Sequence, residues 1–209
     1  MKLIKMKTLF FYEKESKYLL FTLGISYLIN FYLFMIFAFF TGFMCFFYRI
    51  PNINYNSNKN IISSPCSGKI IKIQENNNSY KLYIFMSLLD PHIQINPTNG
   101  IITKYEYISG KFLIAYNLEN DNYRTRFITH IKNKNGIIEI VQNTGYLTRR
   151  IKNFNGLNKT VNKGDLLGII KFGSRIDITI PKSYDLIYKL NDYITIGDNL
   201  AILSKINIK

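Results

Sequence analysis

Cysteine is scarce in this chain of 209 residues, with only Cys45 and Cys66, so a disulfide scaffold is excluded. Histidine is as scarce, and because only His92 and His130 could join those cysteines a cysteine-based zinc site is not expected; no metal is expected. Acidic residues are few as well, 13 against 27 Lys and Arg, for a net charge of +14. Yet no Lys/Arg-rich run of the kind that grips nucleic acid occurs, and none is expected as a partner. Part of the excess is compositional, since the 35 Ile, 24 Asn, 16 Tyr and 16 Phe belong with Lys to the A/T-rich codons. A basic protein beside acidic lipid fits the same charge. With 47% apolar residues, disorder is excluded too.

Charge is missing altogether from Tyr18 to Tyr48. This window, dense in Phe and Leu, reads as embedded in a membrane. It is too long for a signal-peptide core, and Arg49-Ile50-Pro51 follows it instead of a small-residue cleavage site. Two arrangements are open: one tilted membrane helix, or a helical hairpin broken near Ile29-Asn30. Lys14 and Lys17 before the window and Arg49 after it suit a hairpin with both flanks on one side.

A long amphipathic helix is missing after residue 60. Short runs rich in Ile and Tyr, such as GKIIKI, YKLYIFM, GIIEIVQ and RIDITIP, are punctuated by Gly, Asn, Asp and Pro. They predict a mainly β domain, an open barrel or sandwich. Residues 1–50 are expected to form the membrane-embedded segment, 51–60 a polar linker and 61–209 the β domain. A weak repeat relates Thr160–Gly168 to Tyr193–Leu200, each a strand, a Gly-Asp turn and a strand. Such turns occur in hammerhead-like half-barrels, whose carrier forms display a modifiable Lys on a tight hairpin. That lysine element is missing too, so the repeat bears on fold and not on a carrier role.

Gly173-Ser174 lies between two β-type runs, and taken alone it is a turn. Its company is informative. Phe47-Tyr-Arg-Ile-Pro51, Phe85-Met-Ser-Leu-Leu-Asp-Pro-His92, Gly110-Lys-Phe-Leu-Ile-Ala115, Gly145-Tyr-Leu-Thr-Arg-Arg-Ile151 and Phe172-Gly-Ser-Arg-Ile-Asp177 occur in this order. Together they resemble the phosphatidylserine decarboxylase proenzyme family in its short bacterial form, over about residues 18–203.

The resemblance implies a membrane-bound enzyme that removes carbon dioxide from phosphatidylserine to give phosphatidylethanolamine. Ser174 would attack the Gly173 carbonyl, cutting the backbone into a β chain, 1–173, and an α chain, 174–209, that stay paired as a heterodimer. Ser174 would become a pyruvoyl group, whose carbonyl forms a Schiff base with the substrate amine; no metal is needed. Glycine at 173 leaves the attacked carbonyl unshielded. His92 would take the serine proton. The bilayer would supply the substrate, and the cell (inner) membrane of a bacterium, with the catalytic domain on the cytoplasmic side, is the expected location.

The family's Pro-Ala-Asp-Gly turn, whose acid orients the histidine, reads Pro65-Cys66-Ser67-Gly68 here. The triad-acid position is therefore Ser67, which lacks the charge. Asp90, two residues before His92, is a candidate to compensate. Arg149 and Arg150 are candidates to bind the lipid phosphate through paired N–H groups, or form a solvated basic edge. Asp177 is a possible partner of Arg175, His130 matches no motif, and no Cys/His spacing supports Cys66 as a nucleophile. The alternative function is that of a degenerate, uncleaved homologue, a membrane-tethered β domain with a structural or lipid-binding role.

Overall fold

The computed structural model describes residues 7–8, 14–111, 116, 123–145, 150–171 and 174–204. The chain divides into two compact units, residues 1–52 and 53–209.

The first unit is a helical hairpin. Helix α1 (Lys14–Ile29) stops at Asn30 and helix α2 (Phe31–Phe47) starts after it. Asn30 is extended (φ −159°, ψ 132°), and its side-chain oxygen accepts hydrogen bonds from the N–H groups of Tyr32 and Leu33. A polar N-cap inside an apolar window thus breaks what would otherwise be one rod. Strands β1 (Lys7–Thr8) and β2 (Arg49–Ile50) pair antiparallel and bring the two ends of the hairpin together. The single continuous membrane helix is therefore not formed. Sixteen and seventeen residues at about 1.5 Å each fall short of a ~30 Å hydrocarbon core. Among the described residues no helix is long and apolar enough to cross a membrane.

The second unit is mainly β, built from antiparallel sheets with no closed barrel. Its strands are β3 (Ile61–Ser63), β4 (Gly68–Glu75), β5 (Ser79–Met86), β6 (Ile93–Ile95), β7 (Gly100–Ile108), β8 (Arg126–Asn133), β9 (Gly136–Thr144) and β10 (Ile151–Asn153). They continue with β11 (Thr160–Val161), β12 (Leu166–Ile170), β13 (Ser174–Pro181), β14 (Tyr184–Leu186), β15 (Tyr193–Ile194) and β16 (Asn199–Leu203). An eight-stranded sheet has the order β11-β7-β8-β9-β13-β5-β4-β15, and two three-stranded sheets have the orders β10-β12-β6 and β14-β16-β3.

These orders show an internal two-fold relation. The strands β3–β5 and β13–β16 match β6–β12, and the second set is inserted into the first. Lys69 opposite Phe85 matches Ile101 opposite Lys132. Register shifts fall between Ile70 and Lys72 in one half and between Ile102 and Lys104 in the other. Ser63 N–H donates to Pro97 O while Ile95 N–H donates to Pro65 O. The repeat legible in the sequence is part of this relation. Gly164 (φ 86°) and Gly197 (φ 93°) turn the chain between β11 and β12 and between β15 and β16. Asp165 and Asp198 accept from the N–H groups of Asn162 and Thr195.

The core gathers one face of these strands, with Ile70, Leu82, Ile84, Ile102, Ile131, Ile138, Ile140, Ile176 and Ile178 fully buried. β-Branched isoleucine suits a pleated, half-buried surface, and its alternation sets the register.

Candidate active site

Ser174 opens β13, which runs between β5 and β9, and it sits opposite Met86 on one side and Thr144 on the other. It is fully buried, and its hydroxyl lies 3.4 Å from Met86 Sδ, a weak acceptor. Strand alternation turns Ser174, Ile176, Ile178 and Ile180 to the core and Arg175 and Asp177 to the opposite face. There the Arg175 guanidinium donates from Nε to Asp177 Oδ1 at 2.7 Å and from Nη2 to Oδ2 at 3.1 Å. The same guanidinium lies 5.3 Å from the centre of the Tyr83 ring. Asp177 is thus the partner of Arg175, and a two-point buried ion pair fixes the strand just after Ser174.

His92 is fully buried just ahead of β6. Its carbonyl accepts from Ile170 N–H at the end of β12, the strand that leads back toward Ser174. His92 Nδ1 lies 2.8 Å from the main-chain oxygen of Asp90. A carbonyl can only accept, so Nδ1 carries the hydrogen and Nε2 the lone pair. That tautomer is the one a proton acceptor requires.

Side chains that no motif singled out link the two residues. Gln94 Nε2 donates to His92 O at 2.8 Å and lies 3.9 Å from Met86 Sδ, the sulfur that Ser174 meets. Gln142 donates to Gln94 Oε1 at 2.8 Å, and Asn153 donates to Gln142 Oε1 at 3.0 Å. Behind Thr144 the fully buried Arg124 donates to Thr144 O at 2.8 Å. The polar residues His92, Gln94 and Asn96 at alternate positions of a buried stretch were the available signal, because buried polar side chains need partners.

Asp90 closes the turn between β5 and His92. Ser87 N–H donates to Asp90 Oδ2 at 2.7 Å, and the Tyr193 hydroxyl donates to Asp90 Oδ1. Cys66 is fully buried, and burial, aided by the negative charge of Asp90, pushes its thiol well above the usual range. It is therefore a protonated core thiol and not a nucleophile.

Ser67 is placed otherwise than a histidine-orienting residue. Its oxygen accepts from Ile196 N–H at 2.9 Å. Its counterpart in the other half, Asn99, accepts from Lys163 N–H at 2.7 Å. Both side chains lock a β turn against the loop that faces it. Arg150 is exposed, and its carbonyl accepts from Lys171 N–H at 3.3 Å, which holds β10 against the segment before the Gly-Ser pair. Gly173 and Arg149 lie outside the described residues. His130 pairs with Glu139 at 2.9 Å across β8 and β9. Among the described residues no group of three His, Cys, Asp or Glu could hold a metal ion.

Residues 40–202 match the family model described as phosphatidylserine decarboxylase. A phosphatidylserine decarboxylase proenzyme of Carboxydothermus hydrogenoformans is 35% identical over 162 residues, 74% of this chain and 76% of the relative. One of Amoebophilus asiaticus is 30% identical over 169 residues, 77% of this chain and 74% of the relative. A Methanosarcina mazei protein assigned as an archaetidylserine decarboxylase proenzyme is 31% identical over 163 residues, 78% of this chain and 76% of the relative.

Proposed function

The chain belongs to the phosphatidylserine decarboxylase family, and from that premise we propose that it is a self-processing, pyruvoyl-dependent enzyme that decarboxylates the serine headgroup of a membrane phospholipid. The observation that carries the reading is the convergence of Ser174 and His92 on one buried polar network, with the His92 tautomer set for proton removal.

The cut is assigned to the bond between Gly173 and Ser174. The Ser174 oxygen adds to the Gly173 carbonyl as His92 Nε2 takes its proton. The C–N bond then breaks, the amine of Ser174 regains a proton, and Gly173 is held as an ester. Loss of the Cα hydrogen of Ser174 expels the Gly173 carboxylate and leaves dehydroalanine, which water converts to a pyruvoyl group with release of ammonia. The surroundings fit that group. β13 is laddered to β5 and β9 on both sides, so the new end stays in place when the chain before it is released. The pyruvoyl carbonyl supplies an electron sink as carbon dioxide leaves. The chain's own part is to bury this end, exclude water and keep an imidazole beside it to return a proton.

Relatives named for phosphatidylserine and for archaetidylserine share a serine headgroup, and that shared group is the substrate determinant proposed here. The two halves of the β unit are read as hammerhead-like half-barrels whose junctions carry the site. The apolar hairpin of residues 14–47 is assigned to the membrane, entering and leaving on one side. The bacterial cell membrane, with the β unit on its cytoplasmic side, is the proposed location.

Denaturing electrophoresis with mass spectrometry of residue 174 tests the reading. Two fragments, 1–173 and 174–209 with a blocked pyruvoyl end, are expected, and Ser174→Ala should leave one intact chain. An uncut wild-type chain would instead favour an unprocessed structural homologue.

A further inference from the structure

The position that carries the family acid is Ser67 here, and its oxygen is committed to Ile196 N–H. The structure nevertheless places an acidic residue on the turn that delivers the base, bonded to it through its main-chain carbonyl. Asp90 is 7% exposed and sits on the turn that delivers His92. One of its oxygens accepts from Ser87 N–H at 2.7 Å, the other accepts from the Tyr193 hydroxyl, and its main-chain carbonyl receives His92 Nδ1–H at 2.8 Å. We infer that Asp90, clamped by Tyr193, is the positioning residue for His92 in this chain and has taken over the task of the acid missing at Ser67.

The division of labour differs from a direct carboxylate–imidazole contact. The carbonyl of Asp90 selects the tautomer. The carboxylate locks the turn, and so the ring, from two elements at once, because Ser87 belongs to the turn and Tyr193 to β15, opposite Lys69 of β4. The negative charge then stabilises the imidazolium formed when Ser174 loses its proton. Among the described residues the titratable groups meeting Asp90 include the Tyr193 phenol from β15, the Cys66 thiol from the turn between β3 and β4, and His92 on its own segment. Asp90 is the carboxylate among them.

The inference rests on the proposed self-cleavage, and the test keeps the two apart. Full-length proenzyme is followed on denaturing gels for the rate of appearance of fragments between pH 5 and 9. Asp90→Asn keeps the backbone contact but removes the charge. It is expected to slow cleavage at least tenfold and to move the rising limb of the rate profile to lower pH, because imidazolium loses a favourable neighbour. Tyr193→Phe, which deletes one hydroxyl, should slow cleavage several-fold, and it carries the test if Asp90→Asn does not fold. Restoring a carboxylate by Ser67→Asp in the Asp90→Asn background should recover part of the rate. Unchanged rates and pH profiles in both Asp90→Asn and Tyr193→Phe, with His92→Gln uncut, would overturn the role of Asp90 and leave the proposed function standing. Normal cutting in His92→Gln or Ser174→Ala would remove the proposed function itself.

Discussion

Cys66 shows how a single side chain can sit beside a reactive centre and take no part in it. It follows Pro65 in the turn where the family acid is displaced, yet its thiol is fully buried and held protonated by burial and by Asp90. Alkylating reagents attack the thiolate, so iodoacetamide at pH 8 should leave Cys66 untouched until the chain is denatured, as read by peptide mass spectrometry. The sign of the pH effect follows. The folded thiol keeps its proton above the ordinary value of 9.0, so its contribution to stability is complete below that pH and declines as pH rises beyond it. Gln94 makes the opposite case, because no motif marks it and it joins His92 to Met86 and Ser174. Gln94→Leu keeps the volume but takes the acceptor from the Gln142 amide N–H and one of two donors from the His92 carbonyl, and a loss of about 1–3 kcal/mol is expected in urea unfolding. Self-cleavage should slow in the same variant. The motifs single out Ser174 and His92 as candidates. Gln94, Gln142 and Tyr193 were not legible, because hydrogen bonds between residues distant in sequence leave no local pattern.

At the scale of elements, the two Gly-Asp turns were legible because their chemistry is local. Gly197 has φ 93°, and a Cβ there would lie 2.6 Å from the main-chain oxygen of Asn54. Gly197→Ala therefore meets both a left-handed backbone and a rigid neighbour, and should cost about 2 kcal/mol or more, seen as a lower midpoint of thermal unfolding. Ser64-Pro65-Cys66-Ser67-Gly68 and Asn96-Pro97-Thr98-Asn99-Gly100 form the other matching pair of turns, and their likeness is faint because only Pro and Gly are identical. What they share is physical: a side-chain oxygen at Ser67 or Asn99 that accepts one main-chain N–H, and a glycine whose Cβ would lie 2.4 Å from the carbonyl of the next strand. The helix break at Asn30 was legible for a similar reason, since a lone amide in an apolar window makes a good N-cap. The strand order was not legible, because pairing β9 with β13 depends on contacts across the inserted half.

For the whole molecule, the insertion of one half into the other decides what cleavage can do. In the inserted half, β8 passes to β9 through Lys134 and Asn135, with Asn133 opposite Gly136. In the other half the corresponding pair is Met86 and Ser174, and everything from residue 87 to 173 lies between them. The Gly-Ser bond is therefore at the point where the chain re-enters its first half, and His92 is near the point where it left. Cutting there severs a connection and leaves every described strand whole. Residues 174–204 still provide β13 inside the eight-stranded sheet and β14 and β16 in a second sheet, with Ile176, Ile178, Ile180, Tyr184 and Leu200 in the core. Removing that fragment would expose those side chains at about 25 cal/mol per Å² and leave the facing edges of β5 and β9 unpaired. The two fragments are thus expected to co-elute on gel filtration and to share one thermal transition, separating only in denaturant. If the smaller fragment washes away under native conditions, β13 is not the central strand described here.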